Sequence, residues 1–401
     1  MHIPTNKPTI PRGVWALGLV SLFMDVSSEI IHGLLPVFLV TVIGANVATV
    51  GLVEGLGEAV ALIVRVLSGA LSDRMPRRKP LIVAGYLLGT LSKPLFALAQ
   101  GTGLVITARV SDRIGKGLRG APRDALVADL TPAAIHGAAY GLRQTLDSLG
   151  AFLGPLLGII LMFALNNAYR TVFWLALIPG FISVTILILL VREPGTQTRV
   201  KPNQSRVLFG NFRLLSRAYW VVLVIGIVFT LARFSEAFLL LRAEKLGLAP
   251  HWVPGILLIM SLFFALTAYP AGHLSDRVGR IRMLIVGLVF LIVADLVLAF
   301  ANQVAWVVVG ASLWGVHMGF TQGLFSALIA DTATAELRGT AFGIYGLATG
   351  LAVLFASVFA GWLWDLHGPQ TTFLAGVGFS LLTLIALLYY QGQRRHPRHV
   401  C

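Results

Sequence analysis

Twelve runs of predominantly apolar residues follow one another through this chain, joined mostly by short polar connections. About 20 apolar residues cross a bilayer as an α-helix, so this spacing decides the fold class before any motif is read. The runs are 14–43, 47–71, 80–100, 103–127, 138–165, 170–191, 219–241, 252–275, 282–300, 304–331, 339–364 and 370–390. The chain is 57% hydrophobic and 12% charged, whereas soluble chains carry about 25% charged residues. It reads as an all-α, multi-pass integral membrane protein. The fourth run is charged enough to escape a hydropathy window. Alternation of sidedness nevertheless requires it, and its repeat partner, 304–331, is apolar.

The net charge of +14 would suit a nucleic-acid binder if the cations were gathered on one soluble surface. Instead most of them sit in the connections, as the positive-inside rule predicts. With both termini in the cytoplasm, nineteen Lys and Arg fall on the cytoplasmic side, three outside (Arg170, Arg242, Lys245) and nine within spans. The expected location is a plasma (inner) membrane, with the lipid bilayer and no nucleic acid as its partner. The single Cys401 excludes a disulfide framework or thiolate metal site within one chain. Polar residues 1–12 precede a run too long for a signal h-region, so no cleaved signal is expected.

The chain repeats itself. Ala125-Leu-Val-Ala-Asp129 recurs as Ala327-Leu-Ile-Ala-Asp331, and Gly137-Ala-Ala-Tyr-Gly141 as Gly339-Thr-Ala-Phe-Gly343, both at an offset of 202. Gly69-Ala-Leu-Ser-Asp-Arg74 recurs as Gly272-His-Leu-Ser-Asp-Arg277, and Ser28-Glu29 is matched by Ser235-Glu236. Each half has an even number of spans, so the halves share one orientation and meet about an axis along the membrane normal, with a central cavity. The expected organisation is an N-terminal six-helix bundle (1–191), a cytoplasmic linker (192–218), and a C-terminal six-helix bundle with a short cytoplasmic tail (219–401).

One stretch breaks the apolar pattern, Arg109 to Asp129 in the fourth span. At about 100° per residue, Arg109, Arg113, Lys116 and Arg123 share one helix face. Its repeat counterpart is nearly uncharged: Met318 stands for Lys116 and Phe325 for Arg123. The fold therefore does not require these cations.

The motif Gly69 to Lys79, with its second copy Gly272 to Arg282, resembles the signature loop of the major facilitator superfamily, Gly-x-Leu-Ala/Ser-Asp-Arg-x-Gly-Arg-Arg. The first copy has Pro76 where the family has Gly; the second keeps Gly279. In the fifth span, Gly150-x-x-x-Gly154-Pro155-x-x-Gly158 is similar to the motif of the family's antiporters, with Ile159 in place of a final Gly. Arg113-Ile-Gly-Lys-Gly117 resembles the family's fourth-span pattern, in which the Arg is implicated in proton movement. Lys116 here replaces a Gln. The resemblance spans the whole chain and implies twelve helices in two parallel-repeat bundles. It also implies gating roles for Gly69, Asp73, Arg74, Arg77, Gly272, Asp276, Arg277, Gly150, Gly154 and Pro155, while Asp124, at the cytoplasmic end of the charged fourth span, is read from its position as part of a gate.

Ionisable groups at membrane depth are costly and usually face a bundle interior or an aqueous cavity. Neutralisation of the fourth span accounts for single acids but not for the whole set, since apolar packing would cost less than several buried pairs. The expected proton-coupling network is Asp25, Glu29, Glu54, Glu58, Arg113 and Asp147. The expected substrate contacts are Arg113, Lys116, Tyr140, Arg143, Gln144, Arg233, Glu236 and Gln322. There is no Walker-type phosphate loop and no His-Glu-x-x-His, and His32 and His317 are isolated. These absences argue against ATP drive, a metal, a cofactor or enzyme chemistry. The expectation is a monomeric secondary transporter exchanging a small-molecule substrate for H+, exporting a drug or metabolite. Proton-coupled uptake or exchange of an organic anion or zwitterion is the alternative. A non-transporting receptor or scaffold on the same fold would bind ligand without moving it.

Overall fold

A computed structural model describes residues 10–132, 135–193, 214–321, 324–334 and 337–395. Among the described residues all regular structure is helical. The first span is α1 (Arg12–His32) continued by α2 (Leu35–Thr41), and the second is α3 (Val47–Arg74). The third is α4 (Lys79–Leu91) with α5 (Lys93–Leu98), the fourth α6 (Thr102–Leu130), the fifth α7 (His136–Ala164), and the sixth α8 (Tyr169–Leu175) with α9 (Leu177–Leu190). The seventh is α10 (Arg217–Ala232) with α11 (Ala237–Lys245), the eighth α12 (Gly255–Val278) and the ninth α13 (Arg280–Phe300). The tenth is α14 (Val304–Thr321) with α15 (Leu324–Thr332), the eleventh α16 (Arg338–His367) and the twelfth α17 (Pro369–Arg395). Among the described residues, eleven helical stretches are long and apolar enough to cross a membrane. The remaining span, the fourth (α6), has the length, at 29 residues, and lacks only the apolar composition.

The chain divides into two compact units. Unit 1 comprises 1–32 and 60–205, and unit 2 comprises 33–59 and 206–401. The stretch from Gly33 to Ala59 thus packs with the second unit although it precedes most of the first in sequence. Of the expected linker 192–218, residues 194–213 lie outside the described residues.

In unit 1, α1 packs on α7 and α9, and α4 packs on α6 and α9. Val14, Leu17, Val20, Met24, Ile82, Tyr86, Leu126, Val127 and Leu187 form the buried core. Lipid tails are as apolar as these side chains, so helices in a bilayer associate through close packing of small residues. Gly85 and Gly115 show this. A Cβ on Gly115 would stand 2.6 Å from the carbonyl oxygen of Gly85, and one on Gly85 would stand 2.8 Å from that of Gly115.

In unit 2, α13 packs antiparallel on α14: Gly310 sits against Leu298, and Gly287 against Phe320 and Thr321. Tyr219, Leu284, Leu288, Phe325, Ile329 and Leu387 fill the core between α10, α13, α15 and α17. The start of α3 is docked on α16. The Asp365 carboxylate accepts hydrogen bonds from the backbone N–H groups of Val47 (3.0 Å) and Ala48 (2.7 Å). These are donors that a helix cannot satisfy within its own first turn.

The two signature loops turn differently. Gly279 has φ of +96°, a conformation that suits glycine. Its counterpart Pro76 cannot adopt it, since the proline ring holds φ near −65°. The first loop is braced by side chains instead. Arg78 donates to Ser72 (2.8 Å), Asp73 (3.0 Å) and Asp129 (3.1 Å). Its backbone N–H donates to Glu193 at 2.6 Å.

Candidate functional site

The charged side chains within the spans of unit 1 gather chiefly in two clusters along α6. In the first, Lys93 and Asp112 meet at 2.7 Å and are 1% and 3% exposed. Lys93 begins α5 at a break in the third span, where the chain restarts with Pro94 in its first turn. Its ammonium also donates to Ser28 at 3.1 Å. Asp112 is shared with Arg113, whose Nε lies 3.8 Å away. One turn before, Arg109 Nη2 lies 2.9 Å from Nδ1 of His32. Arg109 and Arg113 are 2% and 4% exposed.

The second cluster lies about 16 Å further along α6, as a rise of 1.5 Å per residue places Arg123 relative to Asp112. Arg123 donates to Ser21 at 2.5 Å and to Tyr86 at 3.4 Å. It also lies within ion-pair range of Asp124 (3.5 Å) and Asp147 (3.6 Å). Arg143 binds Asp147 at 2.7 Å, one helical turn away on α7, and reaches Asp124 at 3.5 Å. Arg119 stacks over the Tyr86 ring at 4.8 Å, a cation–π contact. Asp25 feels the charges of Asp147, Arg119, Arg123 and Lys116. Tyr140 donates to the Asp124 carbonyl at 2.9 Å. The network is loosely closed: Arg119 Nη1, Arg123 Nε, Arg143 Nε, Asp124 Oδ1 and Asp147 Oδ1 are buried without a hydrogen-bond partner among the described residues. Two arginines therefore share Asp147 and Asp124.

The expected residues separate as follows. Asp25, Asp147, Arg143, Tyr140 and Asp124 come together in the second cluster, while Arg113 lies in the first. The helix face read as one cationic stripe is graded, since Arg109 and Arg113 are buried and Arg123 is half-buried, whereas Lys116 is exposed. Gln144 is exposed beside Arg143. Glu29 lies at the seam of α1 and α7, where a Cβ on Gly154 would stand 2.5 Å from its Cβ. Gly150 meets Leu22 and Asp25 in the same seam, and Gly158 touches Ile30 only loosely. Pro155 is buried inside α7.

Glu54, 1% exposed, and Glu58 lie on the stretch of α3 that packs in unit 2. Arg233 and Glu236 flank the break between α10 and α11, with the Arg233 guanidinium 5.7 Å from the Phe229 ring. Gln322 lies outside the described residues, as do the side chains of Gly272, Asp276 and Arg277. Of the first signature loop, Gly69 sits close to Ala121, whereas Arg74 and Arg77 are exposed. The cation that organises that loop is Arg78. In unit 2, Arg280 pairs with Asp331, and both lie 202 residues after Arg78 and Asp129.

Sequence reasoning left out Lys93, Asp112, Arg78 and Arg123 as site residues. A usable signal existed for Lys93, the one cation within the third apolar run, 80–100, which must find an acid inside the bundle. Among the described residues no group of three or more His, Cys, Asp or Glu side chains is placed to hold a metal.

Arg78→Ala removes three side-chain partners at a partly exposed site. We expect it to lower stability by about 0.5–1 kcal/mol, with Arg74→Ala close to neutral. Thermal unfolding in detergent micelles checks this, and equal shifts for both variants would remove the distinction between the two arginines.

Comparison with known proteins places this geometry. The sequence profile of the Major Facilitator Superfamily matches residues 17–259 and 237–400. An uncharacterized MFS-type transporter of Methanocaldococcus jannaschii is 30% identical over 392 residues, covering 96% of each chain. The quinolone resistance protein NorA of Staphylococcus aureus is 23% identical over 375 residues, covering 90% of this chain and 92% of its own. Among solved structures, the nucleoside transporter NupG superposes with a TM-score of 0.81 at 12% identity, over 94% of this chain and 99% of its own. That likeness speaks for the fold alone.

Proposed function

We propose, from the premise that this chain belongs to the Major Facilitator Superfamily and is a secondary transporter in the membrane, that it exports a small organic solute in exchange for protons. In this reading it works as a monomer in the plasma (inner) membrane with both termini in the cytoplasm. Transport proceeds by alternating access, and the signature loops and the α1–α7 glycine seam serve the gating.

The observation that carries proton coupling is the second cluster. Asp25 and Asp147 are like charges in one field, and two arginines are shared between Asp147 and Asp124. Protonation of one acid releases an arginine, and solute binding releases a proton. Competition for one network is what antiport requires, because loading of one species must exclude the other. The likeness to a quinolone resistance protein supports export. A second reading, proton-coupled uptake or exchange of an organic anion or zwitterion, is supported by the depth of the cations: Lys93, Arg109, Arg113 and Arg119 are all 4% exposed or less.

The test is flux in proteoliposomes preloaded with norfloxacin, a zwitterionic quinolone, and then with purely anionic and cationic solutes. An acidic external medium is expected to accelerate norfloxacin exit. Asp147→Asn is expected to abolish the acceleration while leaving solute exchange at equal pH. A gradient without effect on any solute overturns the coupling. Acceleration by the opposite gradient replaces export with the uptake reading. Binding without flux would identify a receptor.

A further inference from the structure

Asp295 belongs to neither cluster. It stands near the end of α13 in an otherwise apolar stretch, Met283 to Phe300, and is 0% exposed. Neither carboxyl oxygen has a hydrogen-bond partner among the described residues. Its surroundings are apolar. Gly376 of α17 lies so close that a Cβ there would stand 2.6 Å from Asp295 Oδ2 and 3.1 Å from the Phe234 ring. Phe234 in turn packs on Phe238, Trp314 and Phe373, at ring distances of 5.3, 5.6 and 5.6 Å.

The charged and titratable groups on the elements around α13 are engaged elsewhere or distant. His317 of α14 places Nδ1 2.8 Å from the Gly287 carbonyl, two turns before Asp295, or about 12 Å by helix rise. Asp331 of α15 is paired with Arg280, about 22 Å away along α13. Asp276 and Arg277 close α12 just before that same end, and their side chains lie outside the described residues. Tyr389, Tyr390, Arg394 and Arg395 of α17 follow Gly376 by roughly 20 Å or more of helix. Of the cations on the seventh span, Arg242 donates to the carbonyls of Leu298 (3.1 Å) and Ala301 (2.6 Å). Arg233 lies over Phe229 and feels the charges of Glu236 and Tyr345.

An ionised carboxylate in such a place bears a desolvation penalty of several kcal/mol with nothing to offset it. The neutral acid bears far less. We propose that Asp295 is a proton-binding site of the second unit: it carries a proton in this conformation, and it exchanges that proton only when the contact with Gly376 opens. The step is a simple association, in which water-borne H+ forms an O–H bond on the carboxylate and leaves by the same route. A leucine would pack here at lower cost, so a site retained at this depth makes sense if its charge changes during the cycle. That last step rests on the proton-coupled reading above, whereas the protonation itself does not.

Infrared spectroscopy of the purified full-length protein in lipid nanodiscs tests the proposal. At neutral pH the wild type is expected to show a protonated-carboxyl C=O band that moves with carbonyl-13C-labelled aspartate and is lost in Asp295→Asn. Labelling the wild type shows whether any aspartate contributes such a band even if the variant fails to fold. In D2O the band is expected to shift slowly in the wild type and faster in Gly376→Ala, where the added methyl pushes the contact apart. Absence of a label-sensitive band, its survival in Asp295→Asn, or an exchange rate indifferent to Gly376→Ala would overturn the proposal. Failure of pH-driven flux in liposomes would instead sink the export reading and leave the infrared result to stand.

Discussion

Asp112→Asn is expected to destabilise the first unit by about 3–5 kcal/mol. Its carboxylate is the anion held in common by Lys93 at 2.7 Å and Arg113 at 3.8 Å. With Asp112 neutral, a lysine that is 1% exposed keeps its charge with only Ser28 for company, and breaking one side of a buried pair costs more than removing both. The double change Lys93→Met with Asp112→Asn is therefore expected to recover most of the loss. Lysine and methionine have similar lengths, so the break between α4 and α5 need not repack. Thermal unfolding midpoints of the two single variants and the double, in one detergent, give the coupling directly. If the double variant melts no higher than Asp112→Asn, the pair is not what holds this part of the bundle.

Gly154→Ala is expected to damage the α1–α7 seam, while Gly158→Ala, one turn on, is expected to be tolerated. The motif read along α7 treats its three glycines alike, but the structure ranks them. A Cβ at 154 would stand 2.5 Å from the Cβ of Glu29, and one at 150 would stand 2.6 Å from the Leu22 carbonyl oxygen. At 158 the nearest atom is 3.8 Å away, an ordinary contact. Overpacking a tight interface costs about 1–3 kcal/mol, and here the displaced group is an acid of the expected coupling network. Both stability and solute flux should fall in Gly154→Ala and Gly150→Ala. The reading fails if Gly158→Ala is as harmful as Gly154→Ala.

The α6 stretch shows how far pattern reasoning carries. Its helical nature and its place among the twelve spans were legible because alternation and the repeat both demanded a helix there, although its charge hides it from hydropathy. Its buried face, Val105, Ala108, Arg109, Asp112, Arg113 and Arg119, follows helical spacing. The pairing within that face was not legible. Asp112 meets Lys93, which lies 19 residues earlier on another helix. The exposure of Lys116 between buried cations likewise depends on which neighbours α6 acquires, not on its own period.

The signature loops make the same point. The repeat located both, and the Pro76 and Gly279 difference could be read as one of backbone freedom. That Arg78 braces the first loop while Arg74 and Arg77 stay exposed depends on Asp129 and Glu193, which arrive from the ends of the fourth and sixth spans.

By itself the sequence determined the class of fold, the number and bounds of the spans and the internal repeat. These follow from length, hydropathy and period, which are local properties of a chain obliged to satisfy its backbone hydrogen bonds within each segment in lipid. Only the tertiary structure decided which charges meet. Asp365 capping the start of α3 from more than 300 residues away, Asp112 holding Lys93, and Asp295 left with no hydrogen-bond partner among the described residues depend on helix register and rotation. Those are set by the close approach of small residues such as Gly115, Gly154 and Gly376, and no period in the sequence records which helix will come to face them.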